Sequence, residues 1–506
     1  MHKYFSPFLI LILLGLVGCT STLPLIVPTT IPKPVESIPS TQIYPDSSPT
    51  IAATSADVDP PSTPSPTSTP MMDSLHPIEN HLQVELDYPT GALEVQQEIT
   101  YTNQTGEQLS EIGFYAEPNL YPGVLEIRSI STPDQESLNY TLNRNALFLS
   151  LSSGTLPAGN SIHISFEYSI LLPAMNSTAG NGIFGRSSIQ TNLMDWYFWP
   201  APYSPSIGWL LHPPSLVGEH TAYPLQDFDL NLRISNPPEN MVVTGGSTPQ
   251  FDGTSYHFSH HSARNLVISI SPYFQVTQKL QGHVTLSSFT FPGHTDSAKH
   301  VLEVTARAVQ IFSEGISPYP RSVLNIVESN LGDGLEADGL YFLGSRFLDG
   351  NYVTERSILT LLAAHETAHQ WWYAAVSNDQ ALEPWLDEAF CTWMERLYFS
   401  TSSPEALNWW QAYRLSGDYS EFPVDQTVYS FKSFKPYRES VYLHGAQLLE
   451  GIQSAIGNDQ FMQFLRQYFN NGSSMELSTA RVFFSTLQNF GEIDLNLLKA
   501  KYFLQE

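Results

Sequence analysis

The hydrophobic period of the chain changes once, between residues 275 and 295. Before the change, apolar residues recur every second position in short segments: Leu82-Gln83-Val84-Glu85-Leu86, Leu93-Glu94-Val95-Gln96, His163 to Tyr168, Asp229 to Ile234, Val242 to Gly246 and Leu266 to Ile270. Pro, Gly, Asn and Asp separate these segments, as expected for short strands in an antiparallel β-sandwich. After the change, Val301, Val304, Ala308, Ile311 and Phe312 fall at helical spacing. A β-like stretch follows at Ser322 to Val327, then helices over about Thr354–Val376, Leu443–Ile456 and Asp459–Asn470. The reading is an α+β multidomain chain: an antiparallel β-sandwich over 78–275, then a mixed, mostly helical domain over 276–506. The 506 residues exceed one ordinary domain, and 42% apolar content can fill two cores.

The first 77 residues belong to neither domain. His2 and Lys3 precede an apolar run from Tyr4 to Val17, too short for a comfortable membrane span of ~20 residues. It ends in Leu16-Val17-Gly18-Cys19, which resembles a bacterial lipobox in which Cys19 receives lipid. Residues 1–19 are therefore expected to be a lipoprotein signal peptide, with an uncleaved signal anchor as the competing reading. The chain is then expected in the cell envelope, outside the cytoplasm, held to the membrane by lipid. Residues 20–70 contain 12 prolines and 19 serines or threonines, so 20–77 reads as a disordered linker that cannot bury enough apolar surface to fold. With Cys19 lipidated, Cys391 has no disulfide partner.

Charge narrows the possible partners. The formal net charge is −27, and from residue 73 onward 20 bases face 45 acids. A field of that sign repels phosphate backbones, which argues against nucleic acid, and attracts cations such as peptide N-termini.

The chemistry concentrates in His365-Glu366-Thr367-Ala368-His369. Histidines at i and i+4 share one helix face, where one Zn²⁺ can take both imidazoles. Glu366 lies beside that face and can reach a water on the metal. A third ligand should be a carboxylate from a following element, and Glu388 is separated from His369 by 18 residues, within Trp385-Leu386-Asp387-Glu388. Two His and one Glu leave a fourth position for water, as a hydrolytic site needs. The competing reading is a pair of solvated or core histidines on an ordinary helix.

His-Glu-x-x-His, 18 residues and then Glu resembles the gluzincin metallopeptidases of the aminopeptidase N family. The flanks Gln370-Trp371-Trp372 and Glu383-Pro384 agree. The resemblance implies a saddle-like β domain followed by a thermolysin-like catalytic domain with one Zn²⁺ held by His365, His369 and Glu388, and Glu366 as general base. It implies an enzyme that hydrolyses N-terminal peptide bonds of peptide substrates. Many members continue into a helical superhelix, and none is expected here. Tyr442-Leu443-His444-Gly445-Ala446 matches the stretch in which a tyrosine stabilises the oxyanion, with His444 in place of the usual Lys; Tyr442 is the candidate, against a merely packed tyrosine. Tyr437 is expected to line the pocket. Gly334-Leu335-Glu336-Ala337 matches the stretch whose Glu binds the substrate's α-amine, so Glu336 is the candidate anchor, although Ala337 replaces an Asn.

That replacement leaves an endopeptidase on the same scaffold as an alternative, and a non-catalytic binding lipoprotein as a second. The aromatic run Asp195-Trp196-Tyr197-Phe198-Trp199-Pro200 is read as core packing rather than as a wall of the cleft.

Overall fold

In the first long strand, Ile78–Asp87, every second side chain is buried, and the same alternation runs through Ala92–Thr102 and Gln226–Ser235. The computed structural model describes residues 76–134, 136–151, 154–175, 182–491 and 493–504. The segment expected to be a signal peptide, Cys19 and nearly all of the expected linker lie outside the described residues. These three strands belong to a seven-stranded sheet, with Ile78–Asp87 between the other two. Two four-stranded sheets and a short hairpin complete the β-rich half. Most pairings are antiparallel, but Ile78–Asp87 runs parallel to Gln226–Ser235, with Leu82 opposite Leu230. Alternation alone does not distinguish the two directions, because both expose one face every second residue.

The aromatic run packs in the core. Trp196, Tyr197, Phe198 and Trp199 are buried in a cluster with Tyr168, Tyr223 and Phe228. Gln97 fixes the run by accepting from Phe198 N (3.1 Å) and donating to Phe198 O (2.6 Å). Its amide also donates to Asn80 (2.8 Å) and accepts from Tyr168 Oη (3.0 Å), so a fully buried polar side chain is satisfied.

The second half opens with strands. Gln275–Gln281, Val284–Thr290, Val323–Ser329, Leu340–Gly344 and Gly334–Ala337 form a five-stranded sheet in that order. Helix α1 (Thr295–Gly315) connects the parallel strands Val284–Thr290 and Val323–Ser329 and buries Val301, Val304, Ala308 and Phe312. Helix α2 (Ile358–Ala368) carries His365 in its last turn and is capped by His369, and α3 (Trp385–Ser400) carries Glu388 in its first turn. The expected helix Thr354–Val376 is thus shortened at both ends. Ser357 caps α2 by accepting from Thr360 N (3.2 Å), which fixes its start. After His369 the chain turns out of the helix. Gln370 bonds Gly339 N (2.9 Å) and Ala337 O (2.9 Å), and Tyr373 takes a φ of 138°. Among the described residues, no helix is long and apolar enough to cross a membrane.

The β-rich half grips the segments that flank the histidines. Arg264 is buried, and its guanidinium donates to the carbonyls of Ala374 (3.2 Å), Glu476 (2.8 Å) and Tyr223 (3.4 Å). Its backbone N–H donates to Asp338 (2.9 Å), which also pairs with Arg321. Asn265 accepts from Asp338 N (3.0 Å) and donates to Tyr373 Oη (2.8 Å). Removing the guanidinium orphans several buried carbonyls at once. Arg264→Met should therefore lower the urea midpoint by the equivalent of about 3 kcal/mol or more. A loss under about 1 kcal/mol would show that this cross-link does not hold the halves together.

Candidate functional site

Helix α2 presents His365 and His369 on one face, and α3 brings Glu388 against them. His365 Nε2 lies 3.0 Å and His369 Nε2 3.5 Å from Glu388 Oε2, and the two ring nitrogens are 3.3 Å apart. The outer nitrogens fix the tautomers. His369 Nδ1 faces the Trp372 carbonyl (3.1 Å), which can only accept, so Nδ1 carries the proton. His365 Nδ1 faces Glu395 Oε1 (2.8 Å) and does the same. Both Nε2 lone pairs therefore point at each other and at a carboxylate. Three acceptors converging in a buried site need a cation between them. Two imidazoles and one carboxylate, with a side open to a cavity, are the donor set that suits Zn²⁺. Without a metal, protons answer the same field. Burial pulls His365 down, but Glu388 and Glu395 raise it to about 9. Burial likewise opposes ionisation of Glu388, yet hydrogen bonds from the two histidines hold it well below the usual carboxylate range.

Glu366 faces the same space. It is buried, and its Oε2 has no hydrogen-bond partner among the described residues. Burial raises its pKa to about 8, against the pull of the two histidines and helped by Glu336 and Glu388. Gly334 passes so close to the Glu366 carboxylate that any side chain there would collide with it. Glu336, two residues on, is buried in Gly334–Ala337 and accepts from Gln380 Nε2 (2.8 Å). One of its oxygens lies within 4.8 Å of the Glu366 carboxylate and of a His369 ring nitrogen. The structure thus brings Glu336, Glu366, His365, His369 and Glu388 around one cavity of about 470 Å³. Glu336, Glu366 and His369 form a second possible metal triad. We favour the first, because a carboxyl whose pKa is raised by burial serves better as an acid–base group than as a ligand.

Tyr442 also lines this cavity, from the π-helical turn Arg438–His444 that precedes helix Gly445–Ile456. Its ring stacks on His365 (centroids 5.8 Å apart), and its hydroxyl donates to Glu388 Oε1. Burial first and Glu388 second push its pKa well up, so the phenol keeps its proton. Tyr437 does not line the cavity as expected. It is buried behind Tyr442 in a cluster with Phe431 and Phe434, because the helical turn points it inward. His444 turns away as well and bonds the Phe422 carbonyl (2.6 Å). Cys391 is a free buried thiol near the Trp372 carbonyl (3.7 Å). Cys19 lies outside the described residues.

Several residues of the site escaped the sequence reading. Glu395 accepts from His365, from Trp410 Nε1 (2.8 Å) and from Arg414 (2.6 and 2.8 Å). Burial would raise its pKa, but Arg414 and His365 outweigh it and hold the carboxyl ionised. Its signal was present: Glu395 lies seven residues, two helical turns, after Glu388. Gln380 bridges Glu336 and Asp387 (3.0 Å), and Asp387 in turn accepts from Glu388 N (2.8 Å). Glu219, from the β-rich half, also lines the cavity. Nothing in the local sequence marks these two. A larger cavity of about 600 Å³, lined by Tyr101, Leu210, Leu382 and Glu476, contains none of His365, Glu366, His369, Glu388, Glu336, Tyr442 and Glu219.

Glu395 fixes the ring and tautomer of His365 without touching the metal position. Glu395→Ala should weaken zinc affinity about 10- to 100-fold in a competitive chelator titration. Unchanged affinity would rule out that positioning role.

Comparison with known proteins agrees with this geometry. Residues 300–502 match the model of the peptidase family M1 domain. Aminopeptidase M1-D of Oryza sativa subsp. japonica is 25% identical over 195 residues, which is 36% of this chain and 22% of that protein. Aminopeptidase M1 of Arabidopsis thaliana is 26% identical over 194 residues, 35% of this chain and 22% of that one. Endoplasmic reticulum aminopeptidase 1 of Homo sapiens is 24% identical over 261 residues, 48% of this chain and 27% of that one. The chain thus spans about a quarter of the length of these relatives. The crystal structure of an M1 zinc metallopeptidase from Deinococcus radiodurans superposes with a TM-score of 0.59 at 16% identity. That match covers 86% of this chain and 94% of the other. A mutant of the same protein bound to a Tyr-Ser-Ala substrate gives 0.58 at 15% identity, covering 86% and 95%. Residues 300–502 therefore match a peptidase family M1 domain, and the chain shares the fold of the M1 zinc metallopeptidase from Deinococcus radiodurans.

Proposed function

We propose that the chain is a zinc-dependent aminopeptidase that hydrolyses N-terminal peptide bonds. The observation that carries this reading is the set of converging acceptors, His365 Nε2, His369 Nε2 and Glu388, with the unpartnered Glu366 carboxylate beside it. When held by those three residues, a zinc ion supplies Lewis-acid chemistry, lowering the pKa of a water and polarising a carbonyl. Glu366 takes the proton from the attacking water and returns it to the leaving amine. Its raised pKa suits a group that must both accept and release a proton near neutrality. Tyr442 donates its phenolic hydrogen bond to the oxygen that gains charge as the carbonyl is attacked. Glu336 pairs with the substrate's α-ammonium, so that the first peptide bond lies over the metal position. Supporting the anchor is its surroundings: among the described residues, no Lys, Arg or His nitrogen lies within 4 Å of the Glu336 carboxylate, which has only the Gln380 amide.

We propose in addition that Cys19 is lipidated and tethers the enzyme to a membrane in the cell envelope, outside the cytoplasm. This rests on the apolar run ending in Leu16-Val17-Gly18-Cys19 and on the Pro/Ser/Thr-rich segment after it.

Glu366→Gln should keep bound zinc and lose about 10²- to 10⁴-fold in kcat; retained activity would exclude Glu366 as the base. A peptide with a free N-terminus should be cleaved roughly 30-fold or more faster than its acetylated twin. Equal rates would point to an endopeptidase. In detergent phase separation, the native chain should enter the detergent phase and Cys19→Ala the aqueous phase. A variant that still follows the detergent would exclude Cys19 as the anchor.

A further inference from the structure

Glu219 comes to the cavity from the far half of the molecule, and the loop that carries it is fixed in place. Tyr429 Oη donates to the Pro213 carbonyl (2.7 Å), and Ser215 Oγ to the Val428 carbonyl (3.3 Å). On the other side His220 meets Glu117 (3.1 Å). Between these ties the backbone passes against the Tyr437 ring. Gly218 has a φ of +69°, and a Cβ there would sit 2.6 Å from Tyr437 Oη, so only glycine lets the loop come this close. The next residue, Glu219, then lines the cavity wall.

The other acids at or beside the cavity have partners: Asp333 lines it, accepts from Gly334 N (3.1 Å) and feels the charges of Arg346 and Arg414. Asp387 is buried, with Oδ1 bonded to Glu388 N and Oδ2 to Gln380. On the reading above, Glu336 receives the α-ammonium. Glu219 remains. Among the described residues, no Lys, Arg or His nitrogen lies within 4 Å of its carboxylate. Three arginines line the same cavity, but Arg414 is bound to Glu395 and Arg346 lies over the Phe347 ring (4.4 Å). Arg438 forms no ion pair with Glu219 either. Partial burial, with Glu336, Glu388 and Asp387 nearby, raises the pKa of Glu219 and makes a bare charge there costly. The cavity also shows unmet hydrogen-bonding capacity. Among the described residues, Glu366 Oε2 opens into it without a hydrogen-bond partner.

We propose that Glu219 is a specificity-determining residue whose carboxylate receives the cationic end of the substrate's first side chain. The enzyme then favours peptides that begin with arginine or lysine. A single α-ammonium compensates one carboxylate, and a guanidinium or second ammonium compensates the other. A neutral first side chain leaves the half-buried Glu219 among other acids without a counter-charge. The proposal rests on the aminopeptidase reading.

The test compares arginine with citrulline, its neutral near-isostere. Fluorogenic amides of the two should differ in kcat/KM by about 10- to 100-fold in favour of arginine on the wild-type chain. In Glu219→Gln the ratio should fall to within about 3-fold. The ratio is measured within each preparation, so a partly folded variant does not distort it. The same preference should appear when argininamide and citrullinamide bind the zinc-loaded Glu366→Gln variant in calorimetry, which needs no turnover. A wild-type ratio near one, or a ratio that survives Glu219→Gln, overturns the proposal. Failure to cleave any free-amine substrate would instead refute the aminopeptidase reading, and calorimetry would still decide the role of Glu219.

Discussion

Three hydrogen-bond acceptors face one another at the centre of this protein, and their positions account for much of the surrounding architecture. Two imidazoles on α2 are forced into the tautomer that turns their lone pairs inward, one by a backbone carbonyl and one by Glu395. Glu388 completes the set from α3. Such an arrangement is unfavourable in a buried site unless a cation fills it. Glu395 is held ionised by Arg414 and Trp410, so the constraint extends through α3 to the following helix, Pro404–Arg414.

The two halves of the chain are joined around that centre. Arg264 and Asn265 of the β-rich half bind the carbonyls after His369, the Tyr373 hydroxyl and the Asp338 segment beside Glu336. These contacts settle where the candidate amine anchor lies relative to the helix of histidines. They also give Asp338 a structural role. It ends the stretch that contains Glu336, and its charge is matched by Arg321 rather than left for a ligand. The acidity of the chain therefore divides into two kinds. Some acids, such as Asp338 and Glu395, are paired within the fold. Among the described residues, Glu336 and Glu219 have no Lys, Arg or His nitrogen within 4 Å, and on the proposed reading the substrate supplies the cation.

Much of this was legible in the residues, for local reasons. Alternation located strands such as Ile78–Asp87 because the side-chain period of a strand is set by one residue and its neighbours. The parallel pairing of that strand with Gln226–Ser235 was not legible, since it joins segments about 150 residues apart. The end of α2 was misplaced because what stops the helix is tertiary: Gln370 reaches back to Ala337 and Gly339. In the site, His365, Glu366, His369 and Glu388 follow from spacing. Gln380 and Glu219 do not, because each acts through a neighbour distant in sequence. Tyr437 and Tyr442 are five residues apart on one turn, and only packing shows that one faces the cavity and the other the core.

Zinc-edge X-ray absorption on the zinc-loaded chain tests the central claim most directly. The account predicts a first shell of light atoms only, with two imidazole rings and oxygen donors at about 2.0–2.2 Å. It predicts the loss of one imidazole in His369→Ala. A sulfur shell at about 2.3 Å, which would bring in Cys391, or a first shell without imidazole would contradict it.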